Sequence, residues 1–99
     1  MTVLSAVCMA FAYQAAQDYD KAVALYRRAL EERPHAVWIY RYLTAALSGA
    51  GRMAEAKEAL AEMLHNYPGL TVAKFRKAMP PSPTVDRIIE NLRKLGLPD

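Results

Sequence analysis

The sequence has a single cysteine, two phenylalanines and four glycines, and no charged side chain among its first seventeen residues. One cysteine, Cys8, excludes an intrachain disulfide and suits a reducing compartment, so we expect a cytoplasmic protein. No segment alternates apolar and polar residues for long enough to predict a strand. Abundant alanine and scarce phenylalanine favour helices that approach one another closely. The chain is therefore predicted to be all-α.

The uncharged segment from Met1 to Gln17 has neither of the two features that would carry it to a membrane. It lacks the basic start of a signal peptide. Gln14 and Gln17 interrupt it, and Asp18 follows, so it falls short of the roughly 20 apolar residues of a membrane span. We interpret it as a helix buried on more than one face and expect no membrane contact.

The net charge of +3 comes entirely from the C-terminal part of the chain. Residues 1–70 hold seven basic and seven acidic side chains, whereas residues 71–99 hold six basic and three acidic ones. The six basic residues are Lys74, Arg76, Lys77, Arg87, Arg93 and Lys94. These six residues are the only feature of the sequence that suggests nucleic-acid binding. We rank that function as the weakest alternative, because Phe75 is the only aromatic residue interspersed with them that could stack on a base.

A segment of the chain returns after thirty-four residues with its pattern of size and polarity preserved. Three positions are identical in the two copies: Ala22 and Ala56, Leu30 and Leu64, and Pro34 and Pro68. Three others keep a large side chain that is mostly apolar: Tyr13 and Leu47, Tyr19 and Met53, and Tyr26 and Leu60. A fixed period of this length, with each unit ending in proline, is typical of a repeated helical hairpin.

Prolines, glycines and helix-capping residues divide the chain into six predicted helices. They cover about residues 2–16, 19–32, 36–48, 53–65, 71–77 and 84–95. Asp18 occupies the cap position of the second helix, and Gly49 to Gly51 end the third. Ser82 followed by Pro83 predicts the start of the sixth.

The repeated positions resemble the tetratricopeptide repeat. The matching residues are Met9, Ala10, Tyr13, Tyr19, Ala22, Tyr26, Ala29 and Pro34 in the first copy, and Leu43, Gly51, Ala56, Leu60 and Pro68 in the second. Gln17 stands where the family pattern asks for glycine at the turn. The resemblance implies one domain, residues 1–99, with a right-handed α–α superhelix of two repeats (about 3–36 and 37–70). A degenerate helix and a C-terminal capping helix would follow in residues 71–99.

What this resemblance implies about function is a non-catalytic scaffold that binds a protein or peptide. A second resemblance is to the C-terminal end of long bacterial proteins, and the residues that carry it are Tyr40 to Leu43, Gly51 and Arg52, Pro68 to Val72, and Asp86 to Pro98. In those proteins such repeats follow a nucleotide cyclase domain or a winged-helix DNA-binding domain. A regulatory tail of such a protein is therefore the alternative function.

In tetratricopeptide arrays the first helices of successive repeats line a concave groove that accepts peptides. Carried onto this sequence, the groove positions are Leu4, Val7, Phe11 and Gln14, then Trp38, Arg41, Ala45 and Ser48, then Val72 and Phe75. Aromatic and arginine side chains make the best anchors, and we expect a partner at Phe11, Gln14, Trp38, Arg41 and Phe75. The alternative for Phe11 and Phe75 is a place in the core under the capping helix.

Helical arrays need a polar cap at each end. At the C-terminal end the last helix can act as this cap by packing Ile88, Ile89 and Leu92 on the array. At the other end the first helix is uncharged, and no predicted helix caps it. We therefore expect Val3, Leu4, Val7, Cys8 and Phe11 to pack on a second copy of the chain, forming a homodimer, or on an upstream domain.

The sequence offers no convincing catalytic or metal-binding constellation. His35 and His65 lie thirty residues apart with no third ligand at metal spacing. Cys8 has no histidine or basic residue near it in sequence, which predicts an inert thiol. No glycine-rich phosphate loop or nucleophile elbow is present. We expect no enzyme activity, no metal and no cofactor.

Overall fold

The computed structural model describes residues 3–99, and their side chains from Leu4 onward. These residues form six helices: α1 (Val3–Ala15), α2 (Tyr19–Glu32), α3 (Ile39–Gly49), α4 (Met53–Asn66), α5 (Val72–Ala78) and α6 (Pro83–Lys94). No strand occurs within this part of the chain. The all-α prediction is confirmed, and the fold is that of a helical repeat.

The turns after α1 and α3 repeat the same hydrogen bonds one period apart. The amide of Asp18 donates to the carbonyl of Tyr13 over 2.8 Å, and the amide of Arg52 donates to the carbonyl of Leu47 over 3.0 Å. Between these pairs the backbone turns left-handed, at Gln17 with φ 64° and at Gly51 with φ 78°. This arrangement satisfies the last carbonyls of each helix.

The first four helices share one apolar core in which α2 lies between α1 and α3. Alanines occupy the closest approaches: Ala22, Ala29 and Ala56 are fully buried, and Tyr26 fills the space between the helices. A small side chain permits two helix axes to come close, so many backbone and side-chain atoms make van der Waals contact.

Two local predictions differ from the structure. Helix α3 begins at Ile39, three residues later than predicted, because Val37 and Trp38 lie in a turn that follows Pro34. Asp18 precedes α2 but its side chain makes no capping hydrogen bond; it lies 3.5 Å from the ammonium of Lys21 instead. At α6, by contrast, Ser82 accepts a hydrogen bond from the amide of Val85, as a capping serine should.

Helix α6 does not continue the regular pairing of successive helices that joins α1 to α2 and α3 to α4. Helix α6 packs mainly on α3 and less on α5. Its apolar side chains form a second core cluster together with Ala45 of α3, Met63 of α4 and Phe75 of α5. The capping helix of the sequence prediction therefore covers the side of α3 that the repeat pattern assigns to the groove.

Candidate protein-interaction surface

Tyr42 of α3, which is not one of the predicted groove positions, contacts the three aromatic side chains that are, and also Tyr26 of α2. Its ring lies 6.1 Å from those of Phe11 and Tyr26 and 6.5 Å from those of Trp38 and Phe75, measured between centroids. Such offset and edge-on contacts stabilise a packed cluster. As a result Phe11 and Trp38 are half-buried rather than free to project into solvent.

Two of the five residues at which we expected a partner are buried inside the domain. Gln14 is 3% exposed; its Oε1 accepts a 2.7 Å hydrogen bond from the hydroxyl of Tyr26, and its Nε2 donates to the carbonyl of Tyr42 over 3.4 Å. Phe75 is 1% exposed and belongs to the cluster beneath α6. Neither side chain is presented to a partner in this conformation.

Arg41 is half-buried, and its guanidinium lies 5.1 Å from the ring centroid of Tyr67. A cation over an aromatic face is an attractive contact. Tyr67 directly follows α4, so this contact joins α3 to the end of α4. The Nε atom of Arg41 is buried without a hydrogen-bond partner.

The residues predicted for self-association are the more accessible set. Leu4 is 69% exposed and Cys8 is exposed, whereas Val7 and Phe11 are half-buried. The side chain of Val3 lies outside the described residues. Among the side chains from residue 4 onward, Leu4 is the most exposed large apolar one, ahead of Met9 at 41% and Met53 at 37%.

The exposed residues of α1 form a stripe along one side of the helix, which we call the outward face of α1. It consists of Leu4, Ser5, Cys8, Met9 and Ala12. Their spacing of three and four residues places them on one helical face. The stripe contains no charged side chain.

The repeat period shows what kind of surface this is. One period later, the equivalent positions of α3 are Trp38, Ile39, Tyr42, Leu43 and Ala46. In α3 these positions pack toward α2. Ile39, Leu43 and Ala46 are at most 3% exposed and belong to the same apolar core as α2, and the ring of Tyr42 stacks on that of Tyr26. The outward face of α1 is thus a helix-packing face that has no helix on it within the described chain. Met9 was not among the residues predicted for self-association. Its place one period before Leu43, a large apolar residue of the repeat pattern, could have identified it as part of a packing face.

A cleft of about 410 Å³ is lined by residues of α2, α3 and α4. Its floor includes Leu30, Tyr40 and Leu43, and its rim carries Glu58 and Glu62. Also on the rim, Arg27 bonds to Glu55, which in turn bonds to Arg52 over 2.9 Å. These exposed pairs link the two helices and contribute little individually.

Most of the basic residues of the C-terminal segment already have intrachain partners. Arg76 lies 3.0 Å from Asp86, Arg93 lies 2.9 Å from Asp99, and the ammonium of Lys74 donates to the carbonyl of Gly69. The guanidinium of Arg87 donates to the carbonyl of Ala15 over 3.1 Å. These bonds engage four of the six basic side chains that a phosphate backbone would otherwise have to attract.

Among the described residues, no group of three or more potential ligands is gathered that could hold a metal ion. Helices long and apolar enough to cross a bilayer are likewise not found in residues 3–99.

The comparison with protein families gives one match: the model for the tetratricopeptide repeat fits residues 13–78, more than half of the chain. It covers the end of α1 and all of α2 to α5. It lends no support to the resemblance with tails of nucleotide cyclases or winged-helix proteins. The comparisons with curated proteins and with solved structures returned no match.

Proposed function

The chain belongs to the tetratricopeptide repeat family, and we propose that it is a cytoplasmic protein-interaction module that pairs with a second copy of itself through the outward face of α1. Repeats of this family generally mediate protein–protein interactions and are typically non-catalytic. What we add to these family properties is the surface, the outward face of α1, and the partner, a second copy of the chain.

One observation carries this proposal: the outward face of α1 is exposed although it is equivalent to a face that α3 buries. Leu4 and Met9 together expose large apolar side chains beside the small residues Cys8 and Ala12. A contiguous apolar patch on an otherwise polar surface is characteristic of an interaction site. Because the whole stripe is uncharged, two copies can meet there without repulsion between like charges.

The order of large and small residues suits an antiparallel pairing of two α1 helices. In a two-fold arrangement centred on Cys8, Leu4 of one copy faces Ala12 of the other, so a large side chain meets a small one. Two-fold pairing is the commonest symmetry of homo-oligomers and requires this self-complementarity. The same arrangement brings the two Cys8 side chains next to the axis.

Sedimentation velocity tests the pairing. We expect the wild-type chain to sediment as a dimer at high micromolar concentration, and the double variant Leu4→Glu, Met9→Glu to sediment as a monomer. The matched control is Met53→Glu, which places the same charge on a similarly exposed methionine at the start of α4, and it should remain dimeric. Monomeric wild-type protein would contradict the proposal.

Cysteine crosslinking tests the geometry. Mild oxidation of the dimer should give a disulfide between the two Cys8 residues, because a disulfide needs Cα atoms within about 7 Å. The Cys8→Ser variant should still sediment as a dimer but give no covalent product. A dimer in which Cys8 does not crosslink would pair through another surface.

A regulatory tail of a nucleotide cyclase or a DNA-binding protein is the second candidate, and the same face favours it. In a longer polypeptide, a preceding helix would cover the outward face of α1 as α2 covers α3. In that case the isolated chain would be a monomer. A covalently attached upstream helix would protect the side chains of Leu4 and Met9 from oxidation in hydroxyl-radical footprinting.

A further inference from the structure

The groove of the second repeat contains a helix, and that helix is α6. The groove positions Ala45 and Ser48 are 0% and 7% exposed because α6 lies over them. Their equivalents in the first repeat are Phe11 and Gln14. The concave surface that the family uses for partners is therefore covered in its second half by the chain itself.

Hydrogen bonds attach α6 to the ends of both groove helices. The hydroxyl of Ser48 donates to the carbonyl of Asn91 over 2.9 Å, and the guanidinium of Arg87 donates to the carbonyl of Ala15 over 3.1 Å. The first bond reaches the last turn of α3 and the second reaches the last residue of α1. Helix α6 thus packs on α3 and reaches the end of α1 only through the side chain of Arg87.

The apolar face of α6 has the pattern of a helix that binds in a groove. Val85, Ile88, Ile89 and Leu92 are each at most 3% exposed and share a cluster with Ala45. Their spacing of i, i+3, i+4 and i+7 is that of anchor residues in helix-in-groove recognition. The opposite face, with Glu90, Arg93 and Lys94, is exposed.

The connection to α5 permits α6 to leave as a unit. Met79 and Ser82 have extended backbones, and the exposed Pro80 and Pro81 between them have no amide hydrogen to donate. Helix α6 has its own start, because Ser82 caps it through a 3.1 Å bond from the amide of Val85.

Detachment would break the packing of α6 on α3 and α5, the apolar cluster that it shares with Met63 of α4, and the Arg87–Ala15 bond to α1. It would also break the 2.8 Å bond from the amide of Val72 to the carbonyl of Pro98. The contacts that α1 to α4 make with one another would remain.

We propose that the groove of the second repeat is a binding site for an amphipathic helix, that α6 occupies it within the chain, and that a partner helix with the same apolar pattern binds by displacing α6. The partner is defined by its chemistry: branched apolar residues at i, i+3, i+4 and i+7. This site is separate from the outward face of α1, and the two proposals can fail independently.

The probe is a fluorescent peptide of residues 82–97, added to the full chain and followed by fluorescence anisotropy. In the wild-type chain the peptide competes with a tethered helix at high effective concentration. The double variant Ile88→Asp, Leu92→Asp removes the anchors of α6, and it should bind the peptide at least about tenfold more tightly, because the groove is then open. Equal affinity for both chains would overturn the proposal.

Two matched controls accompany this experiment. The double variant Glu90→Ala, Lys94→Ala alters only the exposed face of α6 and should bind the peptide as the wild type does. A peptide carrying Ile88→Asp and Leu92→Asp should not bind any of the chains. Tightening by the exposed-face variant, or binding of the altered peptide, would show that the affinity does not arise from the groove.

Hydrogen exchange separates displacement from unfolding. In the wild-type chain the amides of α6 should exchange through an opening that leaves α2 to α4 protected, and the Ile88→Asp, Leu92→Asp variant should retain that protection. If α2 to α4 lose protection in the variant, or exchange together with α6 in the wild type, then α6 is an obligatory part of the core and the proposal is wrong.

Discussion

The hydroxyl of Tyr26 donates a 2.7 Å hydrogen bond to Oε1 of Gln14, joining α2 to α1 inside the core. Tyr26 is fully buried and Gln14 is 3% exposed. A buried hydroxyl without a partner costs about 1–3 kcal/mol, so this bond specifies how the two helices of the first repeat pair. It also explains why a glutamine occurs on a helix that is otherwise almost entirely apolar.

Replacing Gln14 with leucine should lower the free energy of unfolding by about 1–3 kcal/mol, because the hydroxyl of Tyr26 then has no acceptor. Adding Tyr26→Phe to this variant should recover most of the loss, since both polar groups are then gone. Urea unfolding followed by circular dichroism measures the wild type, each of the two single variants and the double variant. Additive losses in the double variant would contradict the coupling.

Stability should fall in alkaline solution because of Tyr26. Burial, and secondarily the neighbouring Tyr42, raise the pKa of Tyr26 well above its ordinary value of 10.0. Below about pH 10 both the folded and the unfolded chain keep the phenol proton. Above it the unfolded chain loses this proton while the folded chain retains it, so the free energy of unfolding falls by up to about 1.4 kcal/mol per pH unit.

Urea unfolding between pH 8 and about pH 11 checks this dependence. The Tyr26→Phe variant provides the reference, because its slope contains every other titrating group but not this one. The wild type should show the steeper alkaline decline. Parallel curves would mean that Tyr26 ionises equally in the folded and unfolded states.

Gly49 at the end of α3 is required by a close approach. A Cβ atom built there would lie 2.6 Å from Cε1 of the Tyr19 ring. Gly49→Ala should therefore destabilise the chain by about 1–2 kcal/mol, although alanine favours the helix. Combining it with Tyr19→Met, the residue found one repeat later at Met53, should restore stability in thermal unfolding. A stable single variant would show that the ring moves aside at no cost.

Gln17 adopts a backbone conformation that suits glycine, with φ 64°. The equivalent residue of the second repeat is Gly51, with φ 78°. Gln17→Gly should raise the free energy of unfolding by about 0.5–1 kcal/mol by relieving this strain. The converse change, Gly51→Ala, should lower it by about 1 kcal/mol. Opposite signs for the two substitutions in urea unfolding are the expected outcome.

The helices and the repeat that relates them follow from the order of residues along the chain. Helix α2 has the predicted bounds, α4 ends one residue later than predicted, and Ser82 caps α6 as its spacing before Val85 requires. These features are local: capping residues, prolines and a period of apolar positions act within one or two helical turns. The equivalence of Ala22 and Ala56, both fully buried, follows from the same period.

Which surfaces are covered depends on how the helices pack in three dimensions. An apolar stripe in a sequence shows that a helix face needs a partner, but not which partner it finds. Gln14 lies at a groove position yet bonds to Tyr26 inside the core, and the amphipathic α6 packs on α3 over Ala45. Both outcomes depend on the fit between side chains far apart in the chain, which a local pattern does not contain.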